Sequence, residues 1–159
     1  MYMSVPLSNL PIVAKTTQIT TAIYKLFDLL SPISDLLIRL WVANVFFKSG
    51  LTKIQSFDTT LELFRNEYHT PLLPPDLAAY LATAGELGFS VLLAIGLAGR
   101  FSALGLFFVN IVAALSYYPE IGPEGLRDHV LWGILLLAAL SHGPGKLSID
   151  YLIGKFINR

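Results

Sequence analysis

Residues 77–99 form an apolar run broken by one charge, Glu86, with Asp76 and Arg100 as the nearest charges outside it. A run this long crosses a bilayer as a helix, and an ionisable group near its centre costs at least about 2.5 kcal/mol unless it has a partner or water. The rest of the chain must therefore bring polar groups to Glu86. Residues 101–119 carry no charge, and residues 130–145 carry none apart from His142, so two further spanning helices follow. A fourth is read over about 33–54. There Asp35, Arg39, Lys48 and Lys53 flank the charge-free stretch 40–47, and the long basic stems either snorkel to headgroups or face protein.

Of the 159 residues 54% are hydrophobic and 14% charged, which places the chain among membrane proteins and argues for one main domain. Eleven basic and eleven acidic residues cancel, so there is no footprint for nucleic acid. With a cytoplasmic amino terminus, Lys15, Lys25, Arg39, Arg100, Lys146, Lys155 and Arg159 fall inside, against Lys48, Lys53, Arg65 and Arg127 outside. This is the positive-inside pattern for four helices with both termini cytoplasmic. No cysteine is present, which excludes a disulfide, a thiol relay, an iron–sulfur cluster and a thiolate zinc site. The first eighteen residues lack an apolar core behind a basic start, so a cleavable signal peptide is not expected.

The fold expected is all-α: an integral membrane four-helix bundle with short amphipathic N-terminal and outer-loop helices. Residues 1–30 form an N-terminal segment, loosely ordered over 1–16 around Pro6 and Pro11. An amphipathic interfacial helix follows on the stripe Ile19, Ile23, Leu26, Phe27 and Leu30. Ser31 and Pro32 then read as N-cap and first turn of a new helix. Residues 31–159 hold the bundle, with helices over about 33–54, 76–98, 101–118 and 126–141. Phe57, Leu61, Phe64 and Tyr68 keep helical spacing in the long segment 55–75, predicting a short helix over the bundle mouth. Gly99 and Arg100 form a tight turn between the second and third spans.

At 100° per residue, Ala79, Ala82, Thr83, Phe89, Ser90 and Leu93 lie within about 60° of Glu86, so small and hydroxyl residues line the carboxylate's face. Asn110 and Tyr117 share a face of the third span, with Asn110 at the depth of Glu86. His129 and Gly133 align at the start of the fourth, while Arg39, Gly50 and Lys53 share a face of the first, nearly opposite Asn44 and Lys48. Assembled, these predict a Glu86 and Asn110 pair at the midplane, with Tyr117, His129, Asp128 and Lys53 (or Lys48) toward the outer mouth. The candidate polar site is therefore Glu86, Asn110, Tyr117, His129, Lys53 and Arg39, with no catalytic role assigned. Two readings compete: a site that titrates with a ligand, or hydrogen-bond glue between helices. Tyr117, Tyr118 and Trp132 also suit interfacial anchoring. His129 and His142 sit at opposite membrane faces, so neither a bis-histidine haem nor a metal site is expected, and His142 is read as capping its own helix end.

Three elements in order resemble the DoxX family of small four-helix bacterial membrane proteins, related to the DoxD-type subunit of thiosulfate:quinone oxidoreductase. They are RLWVANVFFKSGLTK (Arg39, Ser49, Gly50, Lys53), GELGFSVLLAIGLAGR (Glu86, Gly96, Arg100) and GPGKLSID (143–150). The resemblance covers residues from about 35 to 151. It implies a bacterial inner-membrane, multi-pass component of a redox or sulfur/metal-stress system, binding a small redox molecule such as a quinone. At most the chain would be a membrane subunit of an oxidoreductase complex, with Glu86 and His129 exchanging protons and Tyr117 or Lys53 orienting the ligand. An anchor recruiting a soluble oxidoreductase or metal-handling partner is the alternative, and a small-solute or proton transporter, which would need a homodimer, is the third.

Overall fold

The computed structural model describes residues 11–118 and 120–157. Among them the chain is all-α, built from α1 (Pro11–Gln55), α2 (Phe57–Asn66), α3 (Pro75–Ile95), α4 (Gly99–Ser116), α5 (Gly122–His142) and α6 (Ile149–Ile157). α1, α3 and α4 are long and apolar enough to cross a bilayer. The chain is a membrane helical bundle, and the outer-loop helix expected from Phe57, Leu61, Phe64 and Tyr68 is α2, which ends at Asn66 and leaves Tyr68 in the connection after it.

α1 departs from expectation. The break at Ser31 and Pro32 is absent, and helix continues through Pro32. Proline removes one main-chain bond and crowds one preceding turn, a local cost of about 3 kcal/mol. Helix on either side is propagated by a bond per residue, and membrane helices tolerate such a defect. Among the described residues the expected N-terminal amphipathic helix is therefore the first part of α1 and not a separate short helix. Residues 1–10, including Pro6, and Arg159 lie outside the described residues. Pro11 itself opens α1, where its missing N–H leaves no bond unmade, so the loose order expected over 11–16 is replaced by helix.

Internal contacts divide the chain into Met1–Ser34 and Asp35–Arg159. The described part of the first unit is helical, with Ile19, Ile23, Leu26, Phe27 and Leu30 exposed along one stripe and Tyr24 and Leu29 exposed off it. In the second unit Val42, Ala43 and Phe46 of α1 pack with Leu93 of α3, Ala103 and Leu106 of α4, and Leu136 and Ala139 of α5. A smaller cluster of Phe64, Ala78 and Ala79 seats α2 on the first turns of α3.

One end of this bundle is closed by interlocking polar groups. The α3 to α4 turn passes through Gly96 (φ 69°), where a Cβ would run into the Arg39 guanidinium, and Ala98 (φ 49°). Arg39, only 1% exposed, donates from Nη1 to the carbonyls of Leu93 (3.0 Å) and Ala94 (3.4 Å) and from Nη2 to that of Leu147 (2.6 Å). The last carbonyls of α3 lack intrahelical partners, and a guanidinium fork supplies donors for them. Asp150 completes the closure, its carboxylate accepting the N–H groups of Ala98 (2.9 Å) and Gly99 (2.8 Å) at the start of α4. That end of a helix carries unpaired donors and positive potential, so a carboxylate suits it. His142 faces Asp35 at 3.7 Å, because the chain reverses at Gly143 and carries the imidazole toward α1 instead of back onto its own helix end.

Candidate functional site

At the opposite end the helices enclose a cavity of about 480 Å³. α1 supplies Ser49 and Lys53, α3 supplies Ala82 and Glu86, and α5 supplies His129 and Trp132. Phe64, Tyr68 and Thr70 come from α2 and the connection after it.

Glu86 is 4% exposed, and both its oxygens lie 2.8 Å from Lys53 Nζ, which also donates to Ser49 Oγ at 2.8 Å. The three donors of the ammonium are thereby matched to three acceptors. Gly50 is what allows this, since a Cβ there would lie 2.8 Å from Leu87 Cγ and push α1 off α3. Thr60 of α2 holds the same turn of α1 from outside, donating its hydroxyl to the Lys53 carbonyl at 3.0 Å.

The Glu86 and Asn110 pair read from depth alone is not formed. Asn110 turns to α5, where Nδ2 donates to the His129 carbonyl (2.8 Å) and Oδ1 meets His129 Nδ1 (2.8 Å). With Nδ2 spent on a carbonyl, the atom facing the imidazole is an acceptor, so His129 carries its proton on Nδ1 and keeps Nε2 for another partner. Buried Gly133, one turn along α5, gives Asn110 room to reach across. Glu86 goes to Lys53 because an ammonium compensates a buried carboxylate far better than a neutral amide does.

Of the six candidate residues, Lys53, Glu86, Tyr117 and His129 line one cavity, and Asn110 stands behind it through His129. Arg39 does not belong there. It closes the other end, as described above, where the carbonyls of Leu93 and Ala94 at the end of α3 and that of Leu147 converge on its guanidinium. Lys48 and Asp128 are exposed and do not line the cavity.

Sequence reasoning missed Tyr68, Ser116 and the place of Ser49. Tyr68 stacks edge-on against Tyr117 (5.1 Å between centroids) and Phe64 (4.9 Å), which makes an aromatic wall. Burial, then the neighbouring Tyr117, Glu67 and Glu86, pushes the Tyr68 phenol above the usual tyrosine range, so it stays a neutral donor. The Ser116 hydroxyl is buried with no hydrogen-bond partner, on a residue that lines the cavity. Ser49 precedes Lys53 by four residues, one helical turn, and that spacing is a signal the sequence does carry. Trp132 packs edge-on against His129 at 4.9 Å and Phe46 at 6.0 Å, closing the α5 side.

Chemically the cavity offers an apolar box with a buried acid and base pair on one wall and an imidazole on another. Comparison with known proteins adds two findings. The family model described as DoxX matches residues 34–119. An uncharacterized protein of Haemophilus influenzae is 34% identical over 131 residues, spanning 79% of this chain and 86% of that protein. No solved structure matches.

Proposed function

The chain belongs to the DoxX family, and from that premise we propose that its cavity binds a small lipid-soluble redox molecule of the quinone class. One observation carries the reading. Leu81 of α3 and Phe108 and Val112 of α4 line the cavity while being 52%, 58% and 38% exposed on the apolar outside of the bundle. A ligand with an apolar tail can therefore enter from the hydrocarbon side and bring its polar head to Lys53 and Glu86. The volume is in the range of small-molecule sites, which are mostly apolar with a few convergent polar groups.

The residues fit such a head group. A quinone supplies two acceptor carbonyls and takes up two electrons with two protons. The unpartnered Ser116 hydroxyl can donate to a carbonyl oxygen, Lys53 Nζ can do so once Glu86 takes up a proton and releases it, and Glu86 and His129 can hold and pass protons. Electrons come from a partner, since the sequence has no cysteine for a thiol relay or an iron–sulfur cluster. In this reading the chain is the membrane subunit of a redox complex in the bacterial inner membrane. α5 serves as the fourth pass, and both ends of the chain are cytoplasmic, following its lysine and arginine distribution.

The test is quenching of Trp132 by decylubiquinone in nanodiscs, using Trp41→Phe so that Trp132 is the only tryptophan. Saturable quenching, weakened at least about tenfold by Glu86→Gln or Lys53→Met, is expected. The control is Trp132→Phe, which keeps only the exposed Trp41 and should show unsaturable quenching from lipid partition. Equal, unsaturable quenching in both would refute the proposal.

A further inference from the structure

The exposed side of α1 carries a second pattern. Within the Asp35–Arg159 unit, Leu37, Leu40, Asn44, Phe47, Leu51 and Ile54 follow one another at spacings of 3, 4, 3, 4 and 3, and every one of them is exposed. This is the a and d seam of a left-handed coiled coil, with Leu37, Asn44 and Leu51 at a and Leu40, Phe47 and Ile54 at d. From Leu37 to Ile54 the seam rises about 26 Å, close to the thickness of a bilayer's hydrocarbon core. Taken by itself, the first unit shows the same spacing at Ile19, Ile23, Leu26, Leu30 and Ile33, all exposed.

Asn44 says what covers this face. It lies near the middle of the seam, hence at the depth where lipid offers no hydrogen-bond partner, and none of the side-chain hydrogen bonds among the described residues involves it. Lipid alone would leave its amide unsatisfied. All copies of a membrane protein share one topology, so two α1 helices meet parallel and in register, and an a residue then faces its own counterpart. The Asn44 amide both donates and accepts, so two copies satisfy each other at that depth. Any other partner would have to present a complementary polar group at the same depth. The α1 residues that line the cavity, Val45, Phe46, Ser49 and Lys53, are not in the seam, so pairing leaves each cavity intact.

We propose that this protein is a parallel homodimer in the membrane, joined along the Leu37 to Ile54 seam of α1 with Asn44 paired to Asn44. The absence of native cysteine makes the test clean. Single cysteines at Leu40, Phe47 and Leu51, and at the exposed α5 control Ile134, are oxidised in native membranes with copper phenanthroline. Disulfide-linked dimer is expected at the seam positions at several times the Ile134 yield. In the Leu51→Cys background, Asn44→Leu should cut that yield at least about threefold and Asn44→Gln should largely retain it. Asn44 is exposed, so Asn44→Leu leaves the fold in place, which unchanged Trp132 fluorescence in a Trp41→Phe background would verify. Yields at the seam no higher than at Ile134, or unchanged by Asn44→Leu, would overturn the proposal.

Discussion

Removing either member of the buried ion pair should cost much more than removing both. At 2.8 Å, Lys53 and Glu86 attract each other by about 6 kcal/mol at an effective dielectric of about 20, and the desolvation of two nearly buried ions offsets most of it. Lys53→Met leaves Glu86, with a side chain only 5% exposed, facing apolar walls and Ser49. Glu86→Gln leaves an ammonium, 19% exposed, without its counter-ion. Each single change should destabilise by about 3 kcal/mol or more, whereas the double variant, which fills the same space without charge, should lie within about 1 kcal/mol of the parent. The coupling from the double-mutant cycle is then about 5 kcal/mol, far above the few tenths of independent sites. Unfolding by dodecyl sulfate titration in mixed micelles, followed by tryptophan fluorescence, measures all four proteins under one condition. Additive costs would show that the two groups do not act as a pair in the bilayer-like state and would refute the coupling expected from their geometry.

Three further outcomes follow from other contacts. Gly96→Ala combines a left-handed backbone with a Cβ driven into Arg39 and Ser148, and should lower stability by about 2–5 kcal/mol in the same titration. Asp150→Ala strips the start of α4 of its two charge-assisted bonds and should cost about 1–2 kcal/mol, with Asp150→Asn recovering part of it; equal loss in both would show that the charge and not the bonds matters. Burial holds the Tyr68 phenol above the ordinary value of about 10, so the 295 nm difference spectrum between wild type and Tyr68→Phe should develop only above that pH.

Apolar length and helical angle made much of this molecule readable in advance. The charge in 77–99 demanded a partner, and the face shared by Arg39, Gly50 and Lys53 pointed α1 inward, where Gly50 meets Leu87 and Lys53 meets Glu86. What angle and depth could not give is which neighbour each polar group faces. Glu86 and Asn110 sit on adjacent helices, yet each turns to a different third helix, because α1 brings an ammonium and α5 a carbonyl and an imidazole. Arg39 was equally open between headgroup and interior, and the deciding partners, the carbonyls of Leu93, Ala94 and Leu147, are main-chain atoms that no side-chain pattern reveals. At Pro32 a local signal for a helix start lost to the helical preference of both flanks.

The two ends of the Asp35–Arg159 unit differ in a way that bears on function. At the Arg39 end the main chain is approached closely by locked groups: Gly96 by the guanidinium, Gly99 by Pro144, and the first N–H groups of α4 by Asp150. At the other end the walls are side chains, and Tyr68, Thr70 and Leu73 reach the cavity from a non-helical connection between α2 and α3. Across to α4 that connection makes one main-chain bond, from the His69 N–H to the Ser116 carbonyl at 2.8 Å, its other main-chain bonds running to α2 and α3 at its own two ends. Local opening is drawn from segments with few such bonds, so residues 67–74 should exchange their amide hydrogens faster than the turn 96–99. Binding of a ligand in the cavity should slow exchange over 67–74 and leave 96–99 unchanged, because only the first segment contributes to its walls. Hydrogen exchange measured by mass spectrometry with and without decylubiquinone reads both segments in one experiment. Slowing confined to 96–99, or spread evenly over the helices, would place the ligand elsewhere.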